Sequence, residues 1–347
     1  MSSAHTARVE NHNYTKPELV CPAGTPAALR TAVDAGAGAV YCGFQNETNA
    51  RNFAGLNFTT EELERSVGYA HDKGSKVLLA TNTFPPAGRF DLWKEAVDTG
   101  ARLGVDAFIV ADIGVARYIA DTYPDLRLHL SVQAAASSVE SIQYYCREFN
   151  VKRVVLPRIL TVEEIKAIND EIPCELETFI FGNHGLMVEG RCSLSNYVTG
   201  VSTNMDGACS PASHVKYEED EAGNLSTKLN GYTIDCFGCG EKAGYPTVCK
   251  GRYHAPVRAD GKGYYAFEEP ISLNLSGLLP DLMKAGVSAL KIEGRQRSRA
   301  YVQKVVSSFA QAIDNIMAGR DPDLPSLIAL TEGSKETQGA FKTKAWR

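Results

Sequence analysis

Short apolar runs alternate with amphipathic stretches along most of the chain. From Glu18 onward the same unit recurs: a few consecutive apolar residues, a polar turn, a segment of helical period, then a glycine before the next apolar run. The first run is Glu18–Cys21, and its helix over Pro26–Asp34 stops at Gly36 and Gly38. Ala39–Gly43 follows, then a long loop from Phe44 to Phe58. Thr59 or Thr60 opens the next helix, which Gly74 ends. Lys76–Thr81 precedes the Pro85-Pro86-Ala87-Gly88 loop and a helix over Asp91–Leu103. Ala107–Ala111 leads to a helix over Val115–Thr122, stopped by Pro124.

Arg127–Val132 and a helix over Val139–Phe149 come next. Arg153–Leu156 follows, with a helix that Thr161 caps and that carries Val162, Ile165 and Ile168 inward. Glu175–Phe181 is a seventh apolar run. The pattern then breaks from Asn183 to Pro270. It resumes with a helix over Leu278–Ala285, an eighth strand at Ala289–Ile292, and a helix over Arg299–Met317 with Val302, Val305, Val306, Phe309, Ile313 and Ile316 on one face. Strands that are continuous apolar runs belong to a parallel sheet covered on both faces. Eight of them predict an α/β protein folded as a (β/α)8 TIM-like barrel with a long insertion between strands seven and eight; a doubly wound open sheet is the alternative. Residues 1–16 read as a frayed polar tail, 17–320 as the barrel with its 183–270 insertion, and 321–347 as a C-terminal tail.

Composition adds little and excludes some classes. The chain has 347 residues, 44% of them apolar and 22% charged, as expected of a globular protein with a sizeable core. A formal net charge of -5 provides no bulk attraction for nucleic acid, though a local basic groove remains compatible with it. No apolar run reaches the roughly 20 residues of a membrane span, and the polar N-terminus has no signal-peptide core, so the expected setting is the cytoplasm.

In a barrel, chemistry gathers at the carboxyl ends of the strands. Those ends read Asn82, Asp112, Gln133, Arg158, Gly182, Lys291, Glu293 and Arg295. Asp112 also suits a helix cap; Arg158 and Arg295 do not, since capping has no use for a guanidinium. The Asn46–Gly55 loop adds Arg51 among Gly and Asn, a composition fitted to an anionic or polar substrate. Arg51, Asp112, Gln133, Arg158, Glu293 and Arg295 are therefore the candidate catalytic residues.

The insertion concentrates sulfur. Five of the nine cysteines, Cys192, Cys209, Cys236, Cys239 and Cys249, lie in it, mostly beside Gly, Ser or Pro where a thiol has little packing purpose. Cys21, Cys42, Cys146 and Cys174 fall in predicted strands and helices and read as core residues. A reducing compartment favours metal binding over disulfides for clustered thiols. Cys236-Phe237-Gly238-Cys239 is a C-x-x-C pair whose sulfurs can meet one metal, and His184 is a further candidate. Zinc and an iron–sulfur cluster both fit such thiols. A metal would also supply the energy that holds so long a loop.

Longer stretches go beyond general chemistry. Glu177-Thr-Phe-Ile-Phe-Gly182, Glu189-Gly-Arg-Cys192, Leu19-Val-Cys-Pro-Ala-Gly24, Asn49-Ala-Arg-Asn-Phe-Ala-Gly-Leu-Asn-Phe58, Val154-Val-Leu-Pro-Arg158, Gly207-Ala-Cys-Ser-Pro211, Ala243-Gly-Tyr-Pro-Thr-Val-Cys-Lys-Gly-Arg252 and Lys291-Ile-Glu-Gly-Arg-Gln-Arg-Ser298 occur in one order over nearly the whole chain. Together they resemble the U32 collagenase-like peptidase family, nearest its ubiquinone-biosynthesis (UbiU) branch. The resemblance implies a barrel holding a [4Fe–4S] cluster. It also implies a heterodimer with a UbiV-like U32 protein, which would hydroxylate a ubiquinone precursor without dioxygen, with a lipid-binding accessory protein as a further partner.

Carried over residue by residue, three of the family's four cluster ligands fall on Cys192, Cys209 and Cys249. The fourth falls on Gly185, which has no side chain. Cys239, then Cys236, then His184 are the candidates to replace it. Two other activities compete. Other U32 relatives hydroxylate RNA bases, a reading the acidic net charge disfavours, as does a Gly333–Arg347 segment that resembles the short tail of the ubiquinone branch. The family's peptidase label finds neither a Gly-x-Ser-x-Gly elbow nor a His-Glu-x-x-His motif here.

Overall fold

A computed structural model describes residues 15–185, 192–254 and 263–343. The tail expected at residues 1–16 thus falls almost wholly outside the described residues, as does Glu189-Gly190-Arg191. Eight parallel strands form the centre: β1 (Glu18–Pro22), β2 (Ala39–Cys42), β3 (Lys76–Thr81), β4 (Ala107–Val110), β5 (Arg127–Leu130), β6 (Val151–Val155), β7 (Glu175–Asn183) and β8 (Ala289–Ile292). Each pairs with the next, and β8 closes the ring through Glu18↔Ala289 on β1 and Ala289↔Glu177 on β7. The sheet is a closed (β/α)8 barrel, so the open-sheet alternative does not hold. Helices α1 (Pro26–Asp34), α2 (Thr60–Asp72), α3 (Phe90–Arg102), α4 (Ile113–Thr122), α5 (Val139–Phe149), α6 (Val162–Asn169), α7 (Leu279–Lys284) and α8 (Arg299–Met317) surround it.

Local chemistry starts these helices where the chain needs them. Thr59 with Glu62 and Thr161 with Glu164 form reciprocal capping boxes, and Thr25 accepts from the Ala28 amide ahead of α1. Period-two alternation then divides each strand between two cores. Val40, Cys42, Val77 and Leu79 face the helices and pack with Leu29, Leu63, Val67 and Trp93. Each such fully buried large side chain contributes about 1.5–3 kcal/mol. Val20, Ala39, Tyr41, Leu78, Ala80, Ala107, Ile109 and Ala289 form the smaller interior cluster.

The interior is not wholly apolar. Lys291 of β8 donates to Glu177 of β7 at 2.6 Å, both buried, and Lys291 Nζ lies 4.1 Å from the Tyr41 ring centre. Arg153 of β6 reaches Glu177 at 3.3 Å, Glu18 at 2.7 Å and Glu175 at 2.6 Å. His129 of β5 is buried in the same interior.

The insertion is more structured than its composition suggests. Val215–Glu219, Leu225–Leu229 and Tyr232–Phe237 form an antiparallel three-stranded sheet, with Thr227, Leu229, Ile234 and Phe237 buried. Short helices at Leu194–Thr199 and Thr203–Asp206 precede it, and Arg252–Tyr253 pairs with Tyr264–Tyr265 after it. A small core of its own therefore holds this excursion, where its glycine content predicts a loop dependent on metal. Ser272–Asn274 then returns antiparallel to the end of β7, and Glu336–Thr337 pairs with Ser272–Leu273. The segment after α8 folds back onto the barrel rim and buries Leu327, Ala340 and Phe341. No helix of the described residues is long and apolar enough to cross a membrane.

Candidate functional site

Two strand ends and one loop meet at the mouth of the barrel. Glu293 follows β8, Arg158 follows β6, and Arg51 sits in the loop after β2. Arg51 Nη2 donates to Glu293 Oε1 at 2.7 Å, and Arg158 Nη2 donates to Glu293 Oε2 at 2.7 Å. Burial would push the Glu293 carboxyl up, but the Arg158 and Arg51 guanidiniums outweigh it and hold it below its ordinary value. Arg158 also lies 3.7 Å over the Phe179 ring, which fixes the plane of its fork. Arg51 remains about a third exposed, with a side-chain accessibility of 34%. Glu293 is thus a fixed anion with two fixed cations, one of them facing the opening.

Gly182 makes this approach possible. Its φ is 135°, and a Cβ there would stand 2.6 Å from the Cβ of Glu293. Arg295 behaves differently from its neighbour. It is buried and donates to Asn49 at 2.9 Å and to Asn57, so it pins the loop that carries Arg51. Burial pushes its guanidinium down to about 10. Gly43 leaves room for it, since a Cβ at that position would meet Arg295 Nη2 at 2.8 Å. Asp112 caps α4, accepting from the Gly114 and Val115 amides at 2.8 and 3.0 Å. Gln133 is buried in the turn after β5. Neither Asp112 nor Gln133 is among the hydrogen-bond partners of Glu293.

The insertion brings sulfur to the same mouth. Gly207, with φ of 78°, presses on the Arg51 loop, where a Cβ would meet the Asn49 carbonyl at 2.1 Å; the Asn52 amide donates back to the Gly207 carbonyl at 3.3 Å. Cys209 is thereby set beside Arg51. Burial raises its thiol, Arg51 opposes that, and the charge of Cys192 adds to it. The Cys192 amide donates to Asn204 at 3.3 Å, tying it to the Thr203–Asp206 turn. Cys249 lies in the turn Val248–Lys250. Its thiol is pushed up to about 12, first by burial, then by Glu268, with Cys209 and Cys192 contributing. Cys192, Cys209 and Cys249 therefore share one electrostatic neighbourhood. Among the described residues, no group of three or more His, Cys, Asp or Glu side chains stands close enough to hold a single metal ion.

Cys236 and Cys239 are exposed. Cys236 sits on the insertion sheet with its sulfur 3.7 Å from Ser226, and Cys239 Sγ lies 3.3 Å from where a Cβ on Gly223 would be, at the hairpin turn. His184 is buried at the end of β7, its Cε1 3.0 Å from a Cβ position on Gly339 of the returning segment. Gly185 faces Glu268, whose Oε1 is 3.0 Å from the glycine's Cβ position. Two residues at this mouth escape the sequence reading. Lys250 donates to Asn183 at 2.7 Å and pairs with Glu332. Glu268 is buried, its amide donating to the Cys249 carbonyl at 3.2 Å. Nothing in the local sequence Phe-Glu-Glu-Pro marks it.

Known proteins place this architecture. An uncharacterized protease of Methanocaldococcus jannaschii is 33% identical over 307 residues, covering 87% of this chain and 66% of that protein. The tRNA hydroxylation protein P of Escherichia coli is 31% identical over 333 residues, covering 92% of this chain and 72% of its own length. The tRNA hydroxylation protein P1 of Bacillus subtilis is 32% identical over 310 residues, covering 89% and 65%. The chain thus spans about two thirds of the length of these relatives. The family model described as "Peptidase family U32" matches residues 24–344, which takes in the barrel, the insertion and the returning segment alike. Barrel, thiol-bearing insertion and arginine-clamped Glu293 are therefore parts of one continuous match, and the chain belongs to peptidase family U32.

Proposed function

We propose that this protein is a hydroxylase subunit that adds oxygen to a base of RNA without using dioxygen, with an iron–sulfur cluster as its cofactor. The observation that carries the reading is the meeting of Cys192, Cys209 and Cys249 with the Arg51–Glu293–Arg158 clamp at one barrel mouth. Two relatives of similar sequence bear the name tRNA hydroxylation protein, which favours RNA over other substrates.

The donor set suits such a cofactor. Three half-buried free thiols from separate turns influence one another electrostatically, and thiolates are the ligands iron–sulfur clusters require. When bound, the cluster would supply one-electron chemistry. Cys192, Cys209 and Cys249 would hold it.

This chain's own residues do the rest. Glu293 stays ionised because Arg158 and Arg51 flank it, so at neutral pH it accepts hydrogen bonds and does not release a proton. Arg51, partly exposed, offers its remaining donors to a phosphate or a ring carbonyl at the entrance. Arg295 keeps the Arg51 loop in place through Asn49 and Asn57. Beneath them, Lys291 and Arg153 pair with Glu177 inside the barrel.

A second reading keeps the support of the motif resemblance. In it the substrate is a ubiquinone precursor, the partner a UbiV-like U32 protein, and a lipid-binding accessory protein delivers the ring. The net charge of -5 favours it, because an acidic chain has no bulk attraction for a polyanion. One experiment separates the two: delete the gene, grow the cells without oxygen, and measure hydroxylated nucleosides of tRNA and rRNA beside the quinone pool. Loss of a nucleoside carrying one added oxygen, with quinones intact, supports the first. The reverse result replaces it with the second.

A further inference from the structure

Two further thiols meet at the opposite end of the strands. Cys146 lies in the last turn of α5, and Cys174 is the final residue of the segment between α6 and β7. Asn150 stops α5 in a left-handed conformation, its amide donating to the Cys146 carbonyl at 3.1 Å, and β6 begins at the next residue. At the amino ends of β6 and β7, Arg153 is in register with Glu175, the residue after Cys174. Gln143, three residues before Cys146 and so on the same face of α5, donates its Nε2 to the Glu171 carbonyl at 3.0 Å. The same juxtaposition of helix and segment brings the Cys146 and Cys174 thiols into a hydrogen bond. Both are free, half-buried and packed against the barrel core.

We propose that Cys146 and Cys174 are a peroxide-reactive dithiol, in which Cys146 attacks, Cys174 resolves, and a reversible disulfide joins α5 to the segment before β7. The inference is independent of what reacts at the barrel mouth. The surroundings of each sulfur assign the roles. The hydrogen bond from Cys174 lowers the Cys146 thiol, and the Lys152 ammonium acts the same way against burial. Cys174, on the donating side of that bond, is raised. In the first step the Cys146 thiolate takes one oxygen from hydrogen peroxide, becoming a sulfenic acid and releasing hydroxide. In the second the Cys174 sulfur attacks the sulfenic sulfur, the S–O bond breaks, and water leaves with the Cys174 proton. The two sulfurs together give up two electrons, and the peroxide accepts them. Cys236 and Cys239 are the rival pair by spacing, but their sulfurs stand against Ser226 and Gly223 respectively.

The test uses the full chain, reduced, freed of reductant and titrated with hydrogen peroxide, then alkylated and mapped by mass spectrometry without further reduction. The expected result is a peptide cross-linked through Cys146 and Cys174, formed before any other thiol is oxidised and undone by dithiothreitol. In Cys174→Ser the oxidation should stop at a sulfenic acid on Cys146, trapped there by dimedone. In Cys146→Ser, Cys174 should stay unmodified at the same peroxide dose. The wild-type map decides the pairing whether or not either variant folds. A Cys236–Cys239 link formed first, Cys146 and Cys174 still fully alkylated after peroxide, or Cys174 oxidised as readily in Cys146→Ser would overturn the proposal.

Discussion

A Cβ on Gly182 would stand 2.6 Å from the Cβ of Glu293, so the last glycine of β7 and the anion after β8 occupy adjoining space. The φ of 135° at Gly182 is one that side chains avoid. Gly182→Ala should therefore cost about 1–3 kcal/mol in backbone strain and displace Glu293 from its two arginines. Denaturant unfolding measures the first effect. Activity falling by more than the stability loss explains would report the second.

Glu293→Gln preserves shape and removes the charge that Arg51 and Arg158 share. The two guanidiniums would then lose the anion they share, at a cost of about 3 kcal/mol. The activity loss should appear as a fall in kcat with the metal content unchanged, since no thiol is touched. Loss of iron in this variant would contradict that separation.

Inside the barrel, Glu177 and Lys291 form a fully buried pair at 2.6 Å. Glu177→Gln should destabilise the fold by about 3–5 kcal/mol, because it strands both Lys291 and one arm of Arg153. The double variant Glu177→Gln, Lys291→Met should recover part of that loss. A double variant no more stable than the single would argue that Arg153 is the dominant partner.

His129 sets a pH dependence. Burial first, then the Arg153 and Arg127 charges, hold its imidazole well below the ordinary value of 6.5, so it is neutral in the folded chain. An unfolded chain protonates it near that value while the folded one does not. Stability is therefore full above about pH 6.5 and falls as pH drops below it, at up to about 1.4 kcal/mol per pH unit. The lowered carboxyls of Glu18 and Glu175 act in a separate window, below their ordinary 4.5. Urea midpoints between pH 7 and 5 should slope downward in wild type and flatten in His129→Gln.

The paired substitution Cys236→Ser, Cys239→Ser should leave bound iron unchanged, because both thiols are exposed, Cys236 on the last strand of the insertion sheet and Cys239 in the turn after it. Cys209→Ser should abolish most of it. Iron loss from the paired variant would restore Cys239 as the fourth ligand.

Periodicity alone resolved the barrel, since most strands are short, largely apolar runs with a glycine or a capping threonine at a helix boundary, even though His129, Arg153, Glu177 and Lys291 interrupt four of them. The shift of α3 to start at Phe90 is a matter of one residue. The insertion sheet was hidden because its strands bury only alternate residues: Thr227 and Leu229 carry the inner face of the middle strand while Ser226 and Lys228 do not. Arg51, Arg158 and Glu293 were legible as charges at strand ends. Arg295 looked equivalent, but its Nη2 is held by Asn49 and Asn57, and only three-dimensional contacts reveal that. Glu268 was invisible for a different reason. It stands out only through its neighbour in space, since its carboxylate occupies the room a side chain at Gly185 would take.

The ionic plug beneath Glu293 also governs traffic. Lys291, Glu177, Arg153 and His129 are buried together within the cylinder beneath Glu293. Chemistry at Glu293 would therefore draw its substrate from the rim, and enlarging the lumen at these positions would unsettle the fold before it opened a route.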